Sequence, residues 1–152
     1  MSIESKLLER NTPLPTYKLS SLPLEPAVIT GNLVFVSGNT PIEGDVLLCK
    51  GTVGVEVSVE QARKCAEACV INCLSALKYT IGDLERVHRI VKLCGFVSSQ
   101  CGFTNQPAVI NAASELLIEL FGDKGRHARS AIGVSSLPGG APVEIELVVE
   151  IE

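Results

Sequence analysis

The closing residues "APVEIELVVEIE" (141–152) alternate apolar and acidic positions, and this alternation restricts the folds open to the chain. Successive side chains of an extended strand point to opposite faces. Val143, Ile145, Leu147, Val149 and Ile151 therefore share one face, and Glu144, Glu146, Glu150 and Glu152 share the other. The apolar face must be covered by other elements, while the acidic face meets water or a partner.

Two segments have the period of helices able to cover it. Ser58 with Gln61 forms a capping box, followed by apolar positions at Ala62, Cys65, Ala66, Cys69, Val70, Cys73, Leu74 and Leu77, which predicts a helix over 59–79. A second helix is expected from Pro107, suited to a first turn, to Phe121, with Gly122 capping its end and Val109, Ala113, Leu116, Leu117 and Leu120 as its core stripe. Strands are expected around Gly31-Asn32, a two-residue hairpin signal, then in "DVLLCKGTVG", "RVHRIVKLCGFVSS", 129–134 and 142–151. The order β-β-β-α-β-α-β-β predicts an α+β fold, a six-stranded mixed sheet with two helices on one face. Residues 1–25, with prolines at 13, 15 and 23, read as an irregular arm before a single domain over 26–152.

The 152 residues carry a net charge of −4, the wrong sign for a chain that grips phosphate backbones, so nucleic acid is not an expected partner. No apolar run reaches the ~18 residues of a membrane span and the N-terminus has no apolar signal core, so a cytoplasmic location is expected. A hydrophobic fraction of 46% points to apolar surface buried between copies of the chain, hence a homo-oligomer. Cys65, Cys69 and Cys73 lie along one helix face, where they read as small core residues, and no metal site is expected from them.

The residues that folding does not require are Arg129 and Glu144. A hairpin turning about Pro138-Gly139 would set Gly133 opposite Glu144 and bring Arg129 onto the acids' face. A guanidinium holds a carboxylate through two parallel hydrogen bonds, and a nearby glutamate can position water and move its proton. The pair suits a small α-keto, α-imino or α-amino acid. Residue chemistry alone leaves open a plain ion pair between Arg129 and one of the glutamates. His127 alternates onto the face of Arg129 and reads as a rim residue, His88 as structural or exposed.

The stretch "HARSAIGVSSLPGGAPVEIELVVEIE", with "TGNLVFVSGNTP", "GDLERVHRIVKLCGFV" and "FTNQPAVINAASELLIELFG", resembles the RidA (YjgF-type) family of reactive enamine and imine deaminases over residues 26–152. The resemblance implies a chorismate-mutase-like fold assembled as a homotrimer with sites between subunits. It implies that Arg129 clamps the substrate carboxylate, that Glu144 holds the attacking water, and that backbone near Gly38 and Ala131, beside Gly133, completes the cradle. The implied reaction is hydrolysis of 2-aminoacrylate or 2-iminobutanoate to a 2-keto acid and ammonia, with no metal or cofactor. Leu24 stands where the family often has tyrosine, Asn39 where many members have glutamine, and Gly133 where many have a polar side chain. These departures point to a divergent subgroup, and the alternative is a carboxylate-binding or interaction module on the same trimer. A ribonuclease or translation-inhibitor role fits the acidic charge and the absence of tryptophan less well.

Overall fold

The Gly31-Asn32 pair closes the hairpin it predicts. In the computed structural model, which describes residues 1–152, β1 (Ala27–Thr30) and β2 (Leu33–Asn39) pair antiparallel with Thr30 opposite Leu33. Gly31 takes φ 60°, the left-handed conformation that such a loop needs. The third strand expected in "DVLLCKGTVG" does not enter the sheet. Ile42–Glu43 (β3) and Val46–Leu47 (β4) instead form a separate two-stranded ribbon, because Gly44 turns the chain at φ 64° and Gly51 and Gly54 interrupt extension.

The capping box is present at the start of the helix Val59–Ile81. Its Gln61 backbone N–H donates to Ser58 Oγ at 3.1 Å, and the Ser58 N–H donates to Gln61 Oε1 at 2.9 Å. All eight expected stripe positions of this helix are buried. The other helix read from sequence, Gln106–Phe121, starts with Pro107 in its first turn and ends at Gly122, with its five predicted core residues buried. In chain order these are α2 and α3, since Ile3–Glu9 forms a short α1.

That first helix corrects the reading of residues 1–25 as wholly irregular. Ser2 caps it by accepting from the Ser5 N–H, and Ile3 and Leu7, four residues apart, sink into the core. Lys6 Nζ donates to the Leu120 carbonyl at 2.6 Å, Arg10 pairs with Glu67 and Glu119, and Lys78 pairs with Glu4 at 2.8 Å. The arm's first turns thus dock on α2 and α3.

The main sheet has five strands rather than six, in the order β1-β2-β7-β5-β6, where β5 is Val87–Ser98, β6 Ala128–Val134 and β7 Val143–Ile151. The hairpin expected between β6 and β7 is absent. The α3 crossover returns the chain to the start of β5, so β6 runs parallel to β5 at the sheet's edge. β7 then inserts between β2 and β5, antiparallel to both. Its alternating apolar residues explain the central place: all five are buried against α2 and the rest of the core, whereas every residue of β6 keeps some exposure. The helices cover one face, as expected, and no helix is long and apolar enough to cross a membrane.

Leu7 is completely buried. Leu7→Ala should lower unfolding free energy by about 2–4 kcal/mol, the usual cost of a large core truncation, read by urea denaturation. An unchanged midpoint would mean that α1 is not part of the cooperative unit.

Candidate active site

Strand alternation brings Glu144 to the face that the helices leave bare. It lies across from Phe96 of β5, and a bulge in the β2–β7 ladder between Val36 and Asn39 brings Gly38 beneath its carboxylate. A β-carbon at Gly38 would collide with Glu144 Oε1, so a larger residue there would push the carboxylate out of this position. Glu144 is half-buried and makes no hydrogen bond or ion pair within the chain. Burial raises its pKa above the ordinary value of 4.5, and the neighbouring Glu146 charge adds to the rise.

Two buried thiols hold the backbone on either side of this carboxylate. Cys69 Sγ donates to the Val143 carbonyl at 3.5 Å and Cys73 Sγ to the Ile145 carbonyl at 3.3 Å, while Asn39 Nδ2 approaches Cys73 Sγ at 3.7 Å. Desolvation lifts the thiol pKa of Cys73 to about 12, so it remains a neutral donor. The cysteine stripe is core, as its spacing suggests.

Arg129 departs from the expected arrangement. Its register partner on β5 is Leu93, itself opposite Leu147, and both are buried under the helices. Arg129, Ala131 and Gly133 therefore share the helix side of the sheet, while Glu144 is on the other side with β5 between them. The reason is the one that removed the hairpin: β6 has β5, not β7, as its neighbour. Arg129 Nη1 donates to Asn111 Oδ1 at 2.8 Å and to Ser114 Oγ at 3.3 Å. Its Nε and Nη2 have no partner in the chain, which leaves one two-donor edge of the guanidinium free.

Asn111 and Ser114 carry no motif, and only their i, i+3 spacing on α3 could have flagged them. His127, read as a rim residue, is part-buried: its Nδ1 lies 2.6 Å from the Gly125 carbonyl and its Nε2 lies 2.9 Å from Ser114 Oγ. Burial, then the Arg129 charge, hold its pKa below the ordinary value, against the opposing effect of the Gly125 hydrogen bond. His88 is exposed beside Glu152 at 3.7 Å. Leu24, in the slot expected to hold tyrosine, borders a groove of about 410 Å³ with Tyr17, Gly38, Asn39, Ser37 and Asn72.

The sequence profile of the family described as "YjgF/chorismate mutase-like, putative endoribonuclease" matches residues 4–150. The chain belongs to that family. This YjgF-family chain is 43% identical over 126 residues to Protein TCP17 of Trypanosoma cruzi, covering 82% of the chain and 78% of that protein. Among solved structures it superposes on Atu1372 of Agrobacterium tumefaciens, of unknown function, with a TM-score of 0.93 and 42% identity over 99% of this chain and 93% of that one. A "putative endoribonuclease" from Shewanella oneidensis gives a TM-score of 0.94 at 27% identity, over 99% and 100% of the two chains. The likeness extends through the arm.

The raised pKa of Glu144 has a consequence for stability. The folded state holds this proton to higher pH than the unfolded chain does, so the stabilising contribution is full below the ordinary value and lost as pH rises through the raised one. Glu144→Gln should therefore unfold at higher urea than the parent at pH 7, and the gap should close as pH falls toward 4.5. Equal midpoints at both pH values would contradict the desolvated carboxylate.

Proposed function

We propose that this YjgF-family chain is a metal-free hydrolytic deaminase of small 2-imino and 2-enamino acids, such as 2-iminobutanoate and 2-aminoacrylate, which it converts to 2-keto acids and ammonia. The observation that carries the reading is the half-buried Glu144 carboxylate, unpaired above Gly38 with its pKa raised by burial. A carboxylate in that state can orient a water, accept its proton during attack on the imine carbon, and return a proton to the departing nitrogen. Arg129 offers the complementary group, a free two-donor edge suited to the substrate carboxylate.

Within one chain the two groups are on opposite faces, so the proposal requires a homotrimer in which Arg129 of one copy approaches Glu144 of another. Support comes from the bare sheet face, where Val28, Phe35 and Val148 form one apolar row across β1, β2 and β7, with Val28 54% and Phe35 47% exposed. The outer edge of β6 adds backbone groups without partners in the chain, and Ala131 lies on that strand. Backbone N–H groups near Gly38 and Ala131, beside Gly133, would complete the cradle for the substrate. No cofactor enters this mechanism.

RNA cleavage, the activity in the family description, finds less support. The bare face presents Glu144, Glu146 and Glu150, and the chain's net charge is −4. A carboxylate-binding module would retain the same Arg129 clamp without turnover.

The test is ammonia release from 2-iminobutanoate generated in situ. Arg129→Ala should abolish turnover, and Glu144→Gln should lower it by about 100-fold while calorimetric binding of 2-ketobutanoate survives. Saturable keto-acid binding without turnover in the parent would make the protein a binding module, and neither binding nor turnover would reject the clamp.

A further inference from the structure

We propose that Ser114 is an activated nucleophile, with His127 as its base, that accepts the acyl group of small esters or thioesters carrying a free carboxylate. The geometry is a chain of four groups drawn from α3, the turn at 122–125 and the start of β6. Gly125's carbonyl is 2.6 Å from His127 Nδ1, His127 Nε2 is 2.9 Å from Ser114 Oγ, and Arg129 Nη1 donates to that same oxygen at 3.3 Å. A carbonyl only accepts, so Nδ1 must carry the imidazole proton and Nε2 must be the free lone pair. Ser114 consequently donates its hydroxyl proton to Nε2, the direction that activates the oxygen.

Several features separate this pair from an incidental contact. A serine or threonine within a helix commonly donates to the carbonyl four residues back, as Thr80 Oγ1 does to Ala76 at 3.0 Å. Ser114 makes no such bond and gives its proton to His127 instead. The histidine is held in turn by a backbone group whose position is fixed, because a β-carbon at Gly125 would collide with the Leu117 carbonyl of α3. The loop can approach the helix this closely only with glycine there. Arg129, oriented by Asn111 Oδ1 at 2.8 Å, places a cation beside the serine oxygen and so eases the departure of its proton to His127. Burial and the Arg129 charge keep the imidazole neutral and able to accept.

The step balances without a further reactant. Ser114 Oγ bonds to the acyl carbon as its proton passes to His127 Nε2. The bond from that carbon to the alcohol or thiol then breaks, and Nε2 returns the proton to the leaving group. Water repeats the sequence, taking the place of serine, and releases the acid. The requirement for a free carboxylate rests on the Arg129 clamp proposed above; the nucleophile does not.

The test is labelling of the full-length protein with a fluorophosphonate, read by intact mass and peptide mapping. One adduct on Ser114 is expected, absent in Ser114→Ala and formed about 100-fold more slowly in His127→Gln, the usual worth of a general base. Absence of an adduct on the parent protein, an adduct elsewhere, or slowing of less than tenfold in His127→Gln overturns the proposal. Labelling of the parent decides the matter even where a variant fails to fold. Hydrolysis of a p-nitrophenyl hemiester of a dicarboxylic acid, compared with an ester lacking the carboxylate, then separates the two readings. Labelling with equal rates on both esters keeps the nucleophile and rejects only the clamp, and neither result depends on imine turnover.

Discussion

The burial of β7 is the constraint on which the rest of the molecule depends. Five inward residues of one strand are buried beneath α2 and the neighbouring core, and β2 and β5 pair with its two edges. A strand committed on one face and both edges retains freedom only on its remaining face. That is where Glu144 sits, with its flanking carbonyls held by the thiols of Cys69 and Cys73. The position of the carboxylate therefore follows from core packing. Its unfavourable electrostatics are tolerated because the rest of the strand has no other register that keeps Val143 to Ile151 inside.

Local pattern made much of this legible. The capping box at Ser58, Pro107 in the first turn of α3, the glycine ending that helix and the Gly31-Asn32 hairpin each depend on residues within a few positions of one another, and each appears as its sequence predicts. What period could not reveal was the neighbour of each strand. Alternation assigns a residue to a face but says nothing of pairing order, and "SSLPGGA" has turn chemistry whether or not it closes a hairpin. The decisive signal was elsewhere: a helix between β5 and β6 favours a parallel pair, which displaces β7 from β6. The same limit explains α1, whose cap and i, i+4 apolar pair are too short to stand out beside the prolines that follow.

Sequence could nominate residues for the candidate site but not their arrangement. Arg129 and Glu144 were marked by chemistry that folding does not need, yet their placement on one face rested on the hairpin that does not form. His127, Ser114 and Asn111 show the converse. Nothing in their spacing suggests a network, because the contact between α3 and the start of β6 depends on Gly125, whose missing side chain allows the loop to lie against Leu117.

Unsatisfied groups give the separation of Arg129 and Glu144 its meaning. Glu144 is half-buried with no donor, and Arg129 keeps one donor edge without an acceptor, on opposite sides of a sheet whose bare face is rich in apolar residues. Burial has already weakened the interaction of Glu144 with water, so its carboxylate costs free energy while it lacks a donor. Two such halves on one chain cannot meet by any side-chain rotation, because β5 and the plane of the sheet lie between them. In the proposed assembly one copy's β6 edge would meet another's bare face, and each half would gain the charge it lacks. In that arrangement apolar burial across the bare face would provide the association energy and the charged pair the register.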